Sequence, residues 1–426
     1  MPASPSTARA INDRLALSLL QQEGPLTAGQ LKQLTGLSRP TVADLVERLA
    51  ASGLITVVGE SGEQRRGPNA RLYGIVADRA YLAALDVRTE SVSVLVSDLV
   101  GRVLAEGAAP VVPEAGEAAA VEQAMGLVER AVKEAGASGD GGRLHTVGIG
   151  APGLVDPATG ELRDSAGLPA WHRRLVAALQ ERFPQARVSV ENETNLAALA
   201  EQREGAARDR DTFVLLWLGH SCGAAVVLDG SLRRGASGGT GEIGFLPVPG
   251  TAGLPTATDC SEGYHSLVGA AAIVELAGEC GVGATAPTAA ETVAEAARLV
   301  AAPQRGAGGI DMRLRRVGAT SHDGAAPDTR PNPAHARFLD TLADRIAVGV
   351  AAVVAVLDPG CVVLGGEIGP AGGAALAARV EARLGGMSPL ATEVRASTLG
   401  GAAVLRGALL TAREHAQDEL FAAPDR

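Results

Sequence analysis

The stretch from Thr35 to Val46 constrains this chain most, because its residues define two consecutive helices and the turn between them. Gly36 supplies a turn that tolerates positive φ without steric cost. Ser38 is a favoured N-cap residue, and Pro40 follows in the first helical turn, where a missing N–H costs nothing. A helix, a glycine turn and a capped second helix form the pattern of a helix-turn-helix.

The surrounding residues predict a winged helix over residues 1–78. Apolar side chains at helical spacing indicate a first helix over about residues 9–22, and Thr27 caps a short second helix. After the capped third helix, strand-like runs cover residues 54–58 and 70–75. Three helices followed by a hairpin describe a winged helix.

A winged helix predicts contact with double-stranded DNA. The start of the third helix would meet base edges and phosphates in the major groove, and the hairpin would contact the backbone or the minor groove. The side chains assigned to these contacts are Ser38, Arg39 and Thr41 on the helix, and Arg65, Arg66 and Arg71 on the wing. The alternative is a small protein-interaction module, on which Arg65 and Arg66 are ordinary solvated charges.

The charge distribution is compatible with DNA contact only at the N-terminal end. The 426-residue chain has a formal net charge of −10, which alone speaks against nucleic acid. Residues 1–80 hold nine Arg and Lys against seven Asp and Glu. The N-terminal segment predicted as a winged helix, called the head here, is therefore slightly basic, and the rest of the chain, called the body, is acidic. This distribution gives weak support to DNA binding by the head.

Composition excludes several other classes of protein. Hydrophobic residues make up 46% and charged residues 20%, as in globular proteins, and the length allows two or three domains. No apolar run predicts a membrane span, and residues 1–10 lack a signal-peptide pattern. The four cysteines are widely spaced, which predicts reduced thiols in a cytoplasmic protein.

Beyond the head, strand-like and helical segments alternate, which predicts an α/β architecture. The short connection over residues 76–80 indicates that head and body are coupled. Residues 303–333 are rich in Gly, Pro, Asp and Arg, and predict an exposed insertion. A terminal helix over residues 399–417 is expected to pack on the first lobe of the body. The other expected elements are strands over 81–87, 91–98 and from 101, and helices over 114–136 and 340–357.

Four segments, in order, give the body a family resemblance. They are VGIGAPGLVD (147–156), VENETNLAALAE (190–201), GASGGTGEIGF (235–245) and DPGCVVLGG (358–366). Over about residues 80–415 the chain resembles the ROK family, named for repressors, open reading frames and kinases. The resemblance implies two actin-like, ribonuclease H-like lobes across residues 79–418, with a sugar in the cleft between them. The winged head resembles the repressor branch of the family.

The segments that handle phosphate in kinases of this family have changed. Those kinases begin with an Asp-x-Gly-Gly-Thr loop, but the stretch after Asp86 contains no glycine and ends in Glu90. In the second loop, Gly-Thr-Gly-x-Gly, Ser221 replaces the central glycine. The family's catalytic Asp corresponds to Glu193, whose carboxylate lies one methylene further out. These changes predict that the chain binds no ATP and is not an enzyme.

The family's zinc ligands are also missing. The resemblance implies a His at the end of the glycine-rich segment and three cysteines after it. Phe245 stands at the His position, and only Cys260 remains of the cysteines. One ligand cannot hold a tetrahedral zinc ion, so no metal is expected.

The sugar-binding residues are better retained. By resemblance, Asn192, Glu193, Glu242 and Glu262 would hydrogen-bond to sugar hydroxyls, which carboxylate oxygens accept well. Phe245 would stack on the apolar face of a sugar where the family has a hydrogen-bonding His. The alternative is a vestigial cleft with solvated carboxylates.

Together these features predict a sugar-responsive, DNA-binding transcription regulator of the repressor type. It would act as a homodimer or homotetramer on a double-stranded operator, with no membrane partner. One alternative is an active sugar kinase with a fused DNA-binding domain. Another is a regulator that has lost its ligand and answers only to a protein partner.

Overall fold

The computed structural model describes residues 5–61, 70–111, 116–138, 144–163, 169–256, 258–283, 288–301 and 333–422. These residues fall into two compact units, Met1–Leu196 with Val404–Arg426, and Ala197–Ala403. The expected insertion over 303–333 lies outside the described residues, except for Pro333, which begins a helix. The head predicted over residues 1–78 lies within the first of these units, and its extent as a domain stays a prediction.

The head has the expected winged-helix fold. Its three strands form an antiparallel sheet in the order β1-β3-β2. The sequence does not predict β1, because two residues are too few to show the alternation of a strand and the strand that pairs with them is distant in the chain. The elements are α1 (Pro5–Glu23), β1 (Leu26–Thr27), α2 (Ala28–Thr35), α3 (Arg39–Ala51), β2 (Ile55–Ser61) and β3 (Ala70–Ile75).

Local capping defines the helix-turn-helix. Thr27 and Gln30 form a capping box, in which Thr27 Oγ1 accepts from Gln30 N at 3.2 Å and Gln30 Oε1 accepts from Thr27 N at 2.9 Å. Gly36 ends α2 with φ of 70°. Ser38 Oγ accepts from Thr41 N at 3.3 Å and so caps α3. The sequence predicts these features correctly because they depend on residues three positions apart.

The first lobe is a five-stranded sheet with the order β6-β5-β4-β7-β8. Strands β4, β7 and β8 are parallel, so their carboxyl ends meet at one edge, where Asp86 pairs with Gly150 and Ala151 with Asn192. The elements are β4 (Tyr81–Val87), β5 (Ser91–Asp98), β6 (Val103–Pro110), α4 (Glu117–Glu134), β7 (Leu144–Ala151), α5 (Trp171–Arg182), β8 (Arg187–Asn192) and α6 (Glu193–Glu204).

The C-terminal helix α12 (Ala403–Leu420) completes this unit. A Cβ at Gly148 of β7 would lie 2.5 Å from the Ala408 carbonyl oxygen, and a Cβ at Gly407 would overlap the Leu196 carbonyl. Backbone therefore packs directly on backbone, which only glycine permits. The predicted return of the terminal helix to the first lobe is confirmed.

The head is joined to this lobe by polar contacts. Gln21 Nε2 of α1 donates to the Val100 carbonyl at 3.1 Å, and Gln417 Nε2 of α12 donates to Gln21 Oε1 at 3.0 Å. Arg14 forms an ion pair with Asp418. These contacts confirm that head and body are coupled.

The second unit repeats the strand order of the first lobe, in the arrangement β11-β10-β9-β12-β13. In both sheets the first three strands form an antiparallel meander and the last two are parallel to the first, as in a ribonuclease H-like fold. The elements are β9 (Phe213–Leu218), β10 (Cys222–Leu228), β11 (Ser231–Arg233), α7 (His265–Val268), α8 (Ala270–Glu279), α9 (Ala289–Ala301), α10 (Pro333–Leu357), β12 (Cys361–Gly366), α11 (Ile368–Met387) and β13 (Glu393–Ala396).

The core of this unit is aliphatic. Val, Leu, Ile and Ala side chains fill it around a few buried aromatic rings, in keeping with an aromatic content of 2%. Tyr264 is fully buried, and its hydroxyl donates to the Ile346 carbonyl at 2.9 Å. None of the described helices combines the length and apolar character needed to cross a membrane.

Candidate functional site

The N-terminal end of α3 presents the polar side chains predicted to meet DNA. Ser38 and Arg39 are exposed, and Thr41 is half-buried. Ser38 Oγ also lies 2.7 Å from Thr41 Oγ1, so these two hydroxyls are already engaged in capping the helix. Arg39 adds a cation to the helix end that already attracts anions.

The rest of the exposed face of α3 is acidic. Asp44 and Glu47 are exposed there, and Asp44 forms an ion pair with Arg48. Arg48 Nη2 also lies 2.5 Å from Asp13 Oδ1, which ties α3 to α1, and this hydrogen bond raises the pKa of Arg48. Favourable contact with phosphates is therefore concentrated at the start of α3 rather than along its length.

The wing is described in part. Arg71 lies on β3 and is exposed. Arg65 and Arg66 lie outside the described residues. Their predicted contact with DNA stays a prediction.

Asn192 and Glu193 lie together at the carboxyl edge of the first sheet, where β8 ends and α6 begins. Asn192 Oδ1 accepts from Thr194 N at 2.8 Å and Asn195 N at 3.3 Å, so Asn192 caps α6. Its Nδ2 donates to the Gly153 carbonyl at 3.1 Å and to Glu193 Oε2 at 3.3 Å. Asn192 therefore holds the loop after β7 against α6 and orients the Glu193 carboxylate.

The turn between β4 and β5, which the family resemblance predicts to correspond to the first phosphate loop of the kinases, is closed by a backbone hydrogen bond. Arg88 N donates to the Ser91 carbonyl at 2.8 Å. The Arg88 guanidinium binds both carboxylate oxygens of Asp86, at 2.7 and 3.1 Å. Burial raises the pKa of Asp86, and the nearby Arg88 opposes that rise. The cation of this turn is thus already paired with a carboxylate.

The glycine-rich segment of the second unit folds back on β10. Gly241 has φ of 90°, and a Cβ there would overlap the Ala224 carbonyl, while Ala224 N donates to the Gly241 carbonyl at 2.7 Å. Glu242 follows and is exposed, and Phe245 is half-buried at the end of a 3₁₀ turn. Only glycine fits at position 241, which is why the segment needs it.

Glu262 is the remaining predicted sugar-binding residue. It is half-buried, and a Cβ on Gly253 would lie 3.4 Å from Glu262 Oε2. Glu242, Phe245 and Glu262 belong to the second unit, whereas Asn192 and Glu193 belong to the first. The predicted role of these five residues in binding a sugar stays a prediction.

The residues present do not fit the family's zinc ion. Phe245 cannot ligate a metal, and Cys260 is the one cysteine that remains of the family's ligand set. Burial raises the pKa of the Cys260 thiol, and it raises the pKa of the Cys222 thiol to about 12. Burial lowers the pKa of His265. Within the part of the chain that the structure describes, no group of three or more His, Cys, Asp or Glu residues is placed to hold a metal ion. The absence of a metal stays a prediction.

Sequence reasoning missed one carboxylate, that of Glu367. It follows β12 directly, and its Oε2 occupies the space into which a Cβ on Gly219 would point. Gly219 begins the turn between β9 and β10, which the family resemblance predicts to correspond to the second phosphate loop. The only sequence signal was the position of Glu367 directly after Gly365 and Gly366.

Comparisons with known proteins agree with this architecture. The family model described as "ROK family" matches residues 83–415, and the model described as "MarR family" matches residues 11–67. The xylose repressor of Caldicellulosiruptor bescii is 25% identical over 240 residues, which are 56% of this chain and 59% of the repressor. The chain therefore spans little more than half the length of this relative.

Two solved structures have a similar fold. One is a ROK family transcriptional regulator, described as a homolog of the Escherichia coli MLC protein. The superposition covers 97% of this chain and 98% of that structure, with a TM-score of 0.71 and 19% sequence identity. The other is a ROK hexokinase from Thermus thermophilus. The superposition covers 79% of this chain and 99% of that structure, with a TM-score of 0.57 and 26% sequence identity. With its body matched by the family model and its fold shared with these structures, the chain belongs to the ROK family.

Proposed function

We propose that this protein is a sugar-responsive, DNA-binding transcription regulator that acts as a repressor and has no kinase activity. The observation that carries the proposal is that the winged helix belongs to the same compact unit as the first lobe. In that lobe the β4–β5 turn, predicted to correspond to a phosphate loop, is closed. A repressor function also agrees with the similarity to a xylose repressor.

The exposed N-terminal end of α3 supports DNA binding. It combines the positive end of a helix with the Arg39 cation, and both attract phosphate. Two heads in a homodimer or homotetramer would contact half-sites about 34–36 Å apart, or a multiple of that spacing.

The carboxylates near the sheet edges support a polyhydroxylated ligand. Asn192 Nδ2 donates to Glu193 Oε2, and carboxylate oxygens are acceptors that suit hydroxyl donors. Glu242, Glu262 and Phe245 of the second unit are the other residues that the family resemblance predicts to contact a sugar. A ligand that alters DNA affinity needs a coupling of only about 1–3 kcal/mol between the two sites.

A second candidate function is an active sugar kinase that carries a DNA-binding head. The similarity to a ROK hexokinase favours it. ATP turnover with a panel of hexoses tests it directly, and robust sugar phosphorylation would replace the proposal of a regulator without kinase activity.

The proposed function is tested by a mobility shift on DNA from upstream of the protein's own gene. We expect a complex whose affinity changes when xylose, glucose or N-acetylglucosamine is added. Arg39→Ala should weaken the complex by about 5- to 150-fold, the range for losing a DNA contact worth 1–3 kcal/mol. Arg130→Ala is the matched control, because Arg130 is exposed on α4 of the first lobe. Equal effects of the two variants would contradict the assigned DNA surface.

A further inference from the structure

The solvent-facing side of α3 contains a carboxylate on the same ridge as Arg39. The side chains that α3 buries in the head are Val42, Leu45, Val46 and Leu49. At 3.6 residues per turn, residues 39, 43 and 47 lie along one ridge outside this buried face. Arg39, Ala43 and Glu47 are all exposed. Glu47 therefore belongs to the same exposed face as Arg39, the residue assigned to DNA contact.

Glu47 differs from the other carboxylate on this face. Asp44 forms an ion pair with Arg48, and Arg48 also binds Asp13 of α1. Within the part of the chain that the structure describes, the Glu47 side chain forms no hydrogen bond or ion pair. The Asp44 charge is thus partly compensated inside the head, whereas the Glu47 carboxylate is available to whatever meets the helix.

A carboxylate on a helix in the major groove discriminates between bases. Phosphates repel it, so its approach to DNA is unfavourable unless a base donates a hydrogen bond to it. In the major groove, guanine presents two acceptors, and thymine presents an acceptor and a methyl group. Cytosine presents an amino group, which a Glu or Asp side chain accepts, whereas adenine places an acceptor beside its amino group. Cytosine is therefore the base that suits a carboxylate best.

The spacing of Arg39 and Glu47 limits where that base can lie. The two residues are eight positions apart, which is about 12 Å along the helix axis. Base pairs follow one another every 3.4 Å or so, and the two side chains therefore meet positions at most about three to four base pairs apart. Arg39 suits a phosphate, or the O6 and N7 acceptors of guanine.

We propose that Glu47 is a specificity-determining residue of the DNA-binding head, and that it selects operators in which a cytosine amino group faces it in the major groove. Arg39 supplies attraction that any DNA sequence can satisfy through its phosphates, whereas Glu47 penalises sequences without the matching donor. This inference rests on the proposed DNA-binding function and names one base of the operator.

The test begins with selection of binding sites from DNA duplexes that contain a randomised half-site, using the full-length protein and Glu47→Ala. The position at which the two selections differ is the one that Glu47 contacts. The wild-type protein is then titrated with four duplexes that differ only in the base at that position. Cytosine should be preferred over each other base by at least about fivefold, the lower limit for one good base contact.

Three variants separate base recognition from simple repulsion. Glu47→Ala should abolish the preference and strengthen binding to the three duplexes without cytosine. Glu47→Gln should shift the preference towards adenine, whose N6 and N7 groups match a carboxamide. Glu23→Gln removes an exposed carboxylate at the end of α1, and as the matched control it should leave the preference unchanged.

Each contrary result has a distinct meaning. Identical selections by the wild type and Glu47→Ala would overturn the inference and leave DNA binding standing. An equal gain in affinity for all four duplexes would also overturn it, because Glu47 would then act only as a like charge near phosphates. A wild-type preference for another base at that position would remove cytosine as the partner. If the wild-type protein binds none of the randomised duplexes, both the DNA-binding function and the inference built on it are wrong.

Discussion

At the scale of single residues, glycines serve two different purposes in the second unit. Gly241 and Gly250 have similar positive φ values, 90° and 94°. A Cβ at Gly241 would overlap the Ala224 carbonyl, whereas a Cβ at Gly250 would have no heavy atom within 4 Å. The first glycine is needed for close packing and for its φ angle, and the second only for its φ angle.

This pair separates the cost of backbone strain from the cost of a clash. Gly250→Ala should destabilise the unit by about 1–2 kcal/mol through the left-handed φ alone. Gly241→Ala should cost about 1–3 kcal/mol more, because β10 must move to admit the methyl group. Thermal unfolding measures both losses of stability, because 1 kcal/mol corresponds to a shift of about 2–4 °C in the melting temperature of a unit of this size. Equal melting temperatures for the two variants would show that the glycine-rich segment does not pack on β10 as described.

At the scale of elements, α12 connects two parts of the first unit. Its N-terminal half packs through Gly407 on Leu196 of α6, close in sequence to Glu193. Its C-terminal half reaches the head through Gln417, which donates to Gln21 of α1. The helix therefore runs from a predicted sugar-binding element to the DNA-binding head.

The junction between α1 and the lobe can be weakened without touching the core. Gln21→Ala removes one hydrogen bond to the Val100 carbonyl and one from Gln417, each worth about 0.5–1.5 kcal/mol. Hydrogen–deuterium exchange should become faster in residues 76–80 and in α1. Gln22→Ala is the matched control, because the neighbouring side chain is exposed. Exchange that is unchanged in Gln21→Ala would mean that this junction does not hold the head to the lobe.

At the scale of the whole molecule, the two ends of the chain belong to one unit. Residues Met1–Leu196 and Val404–Arg426 share the first unit, and the second unit lies between them in sequence. The first unit therefore depends on a helix that is the last described element of the chain. The second unit has its own sheet and its own aliphatic core.

Removal of residues 403–426 should therefore damage the first unit selectively. The loss of α12 would expose the face of β7 that contains Gly148 and Gly150, and DNA binding should be lost with the first unit. Limited proteolysis should leave a resistant fragment close to residues 197–402. Removal of residues 423–426 alone is the control, because it keeps every residue of α12. Retained DNA binding by the longer deletion, or equal digestion of both units, would contradict this division.

Some features could be predicted because their causes are local. The caps of α2 and α3 involve Thr27 with Gln30 and Ser38 with Thr41, and each pair is three residues apart. Strands β4 and β5 were predictable over their whole lengths from continuous apolar runs and alternation. The four ordered motifs identified the family, because each combines several residues at fixed spacing.

Other features arise only when distant segments meet. The closeness of Glu367 and Gly219 depends on two parallel strands ending at one sheet edge, and neither sequence segment contains that information. Predicted as a sugar-binding residue, Asn192 also caps α6 and anchors Gly153, which its place in a motif does not reveal.

The sequence alone determined the helix-turn-helix, the alternation of strands and helices, and the family, because these depend on short-range spacing along the chain. Only the tertiary structure decided that the head shares a unit with the first lobe, that Asp86 binds Arg88 in the β4–β5 turn, and that Glu367 lies beside the β9–β10 turn. Such arrangements depend on strand register and on backbone packing between segments that are far apart in sequence.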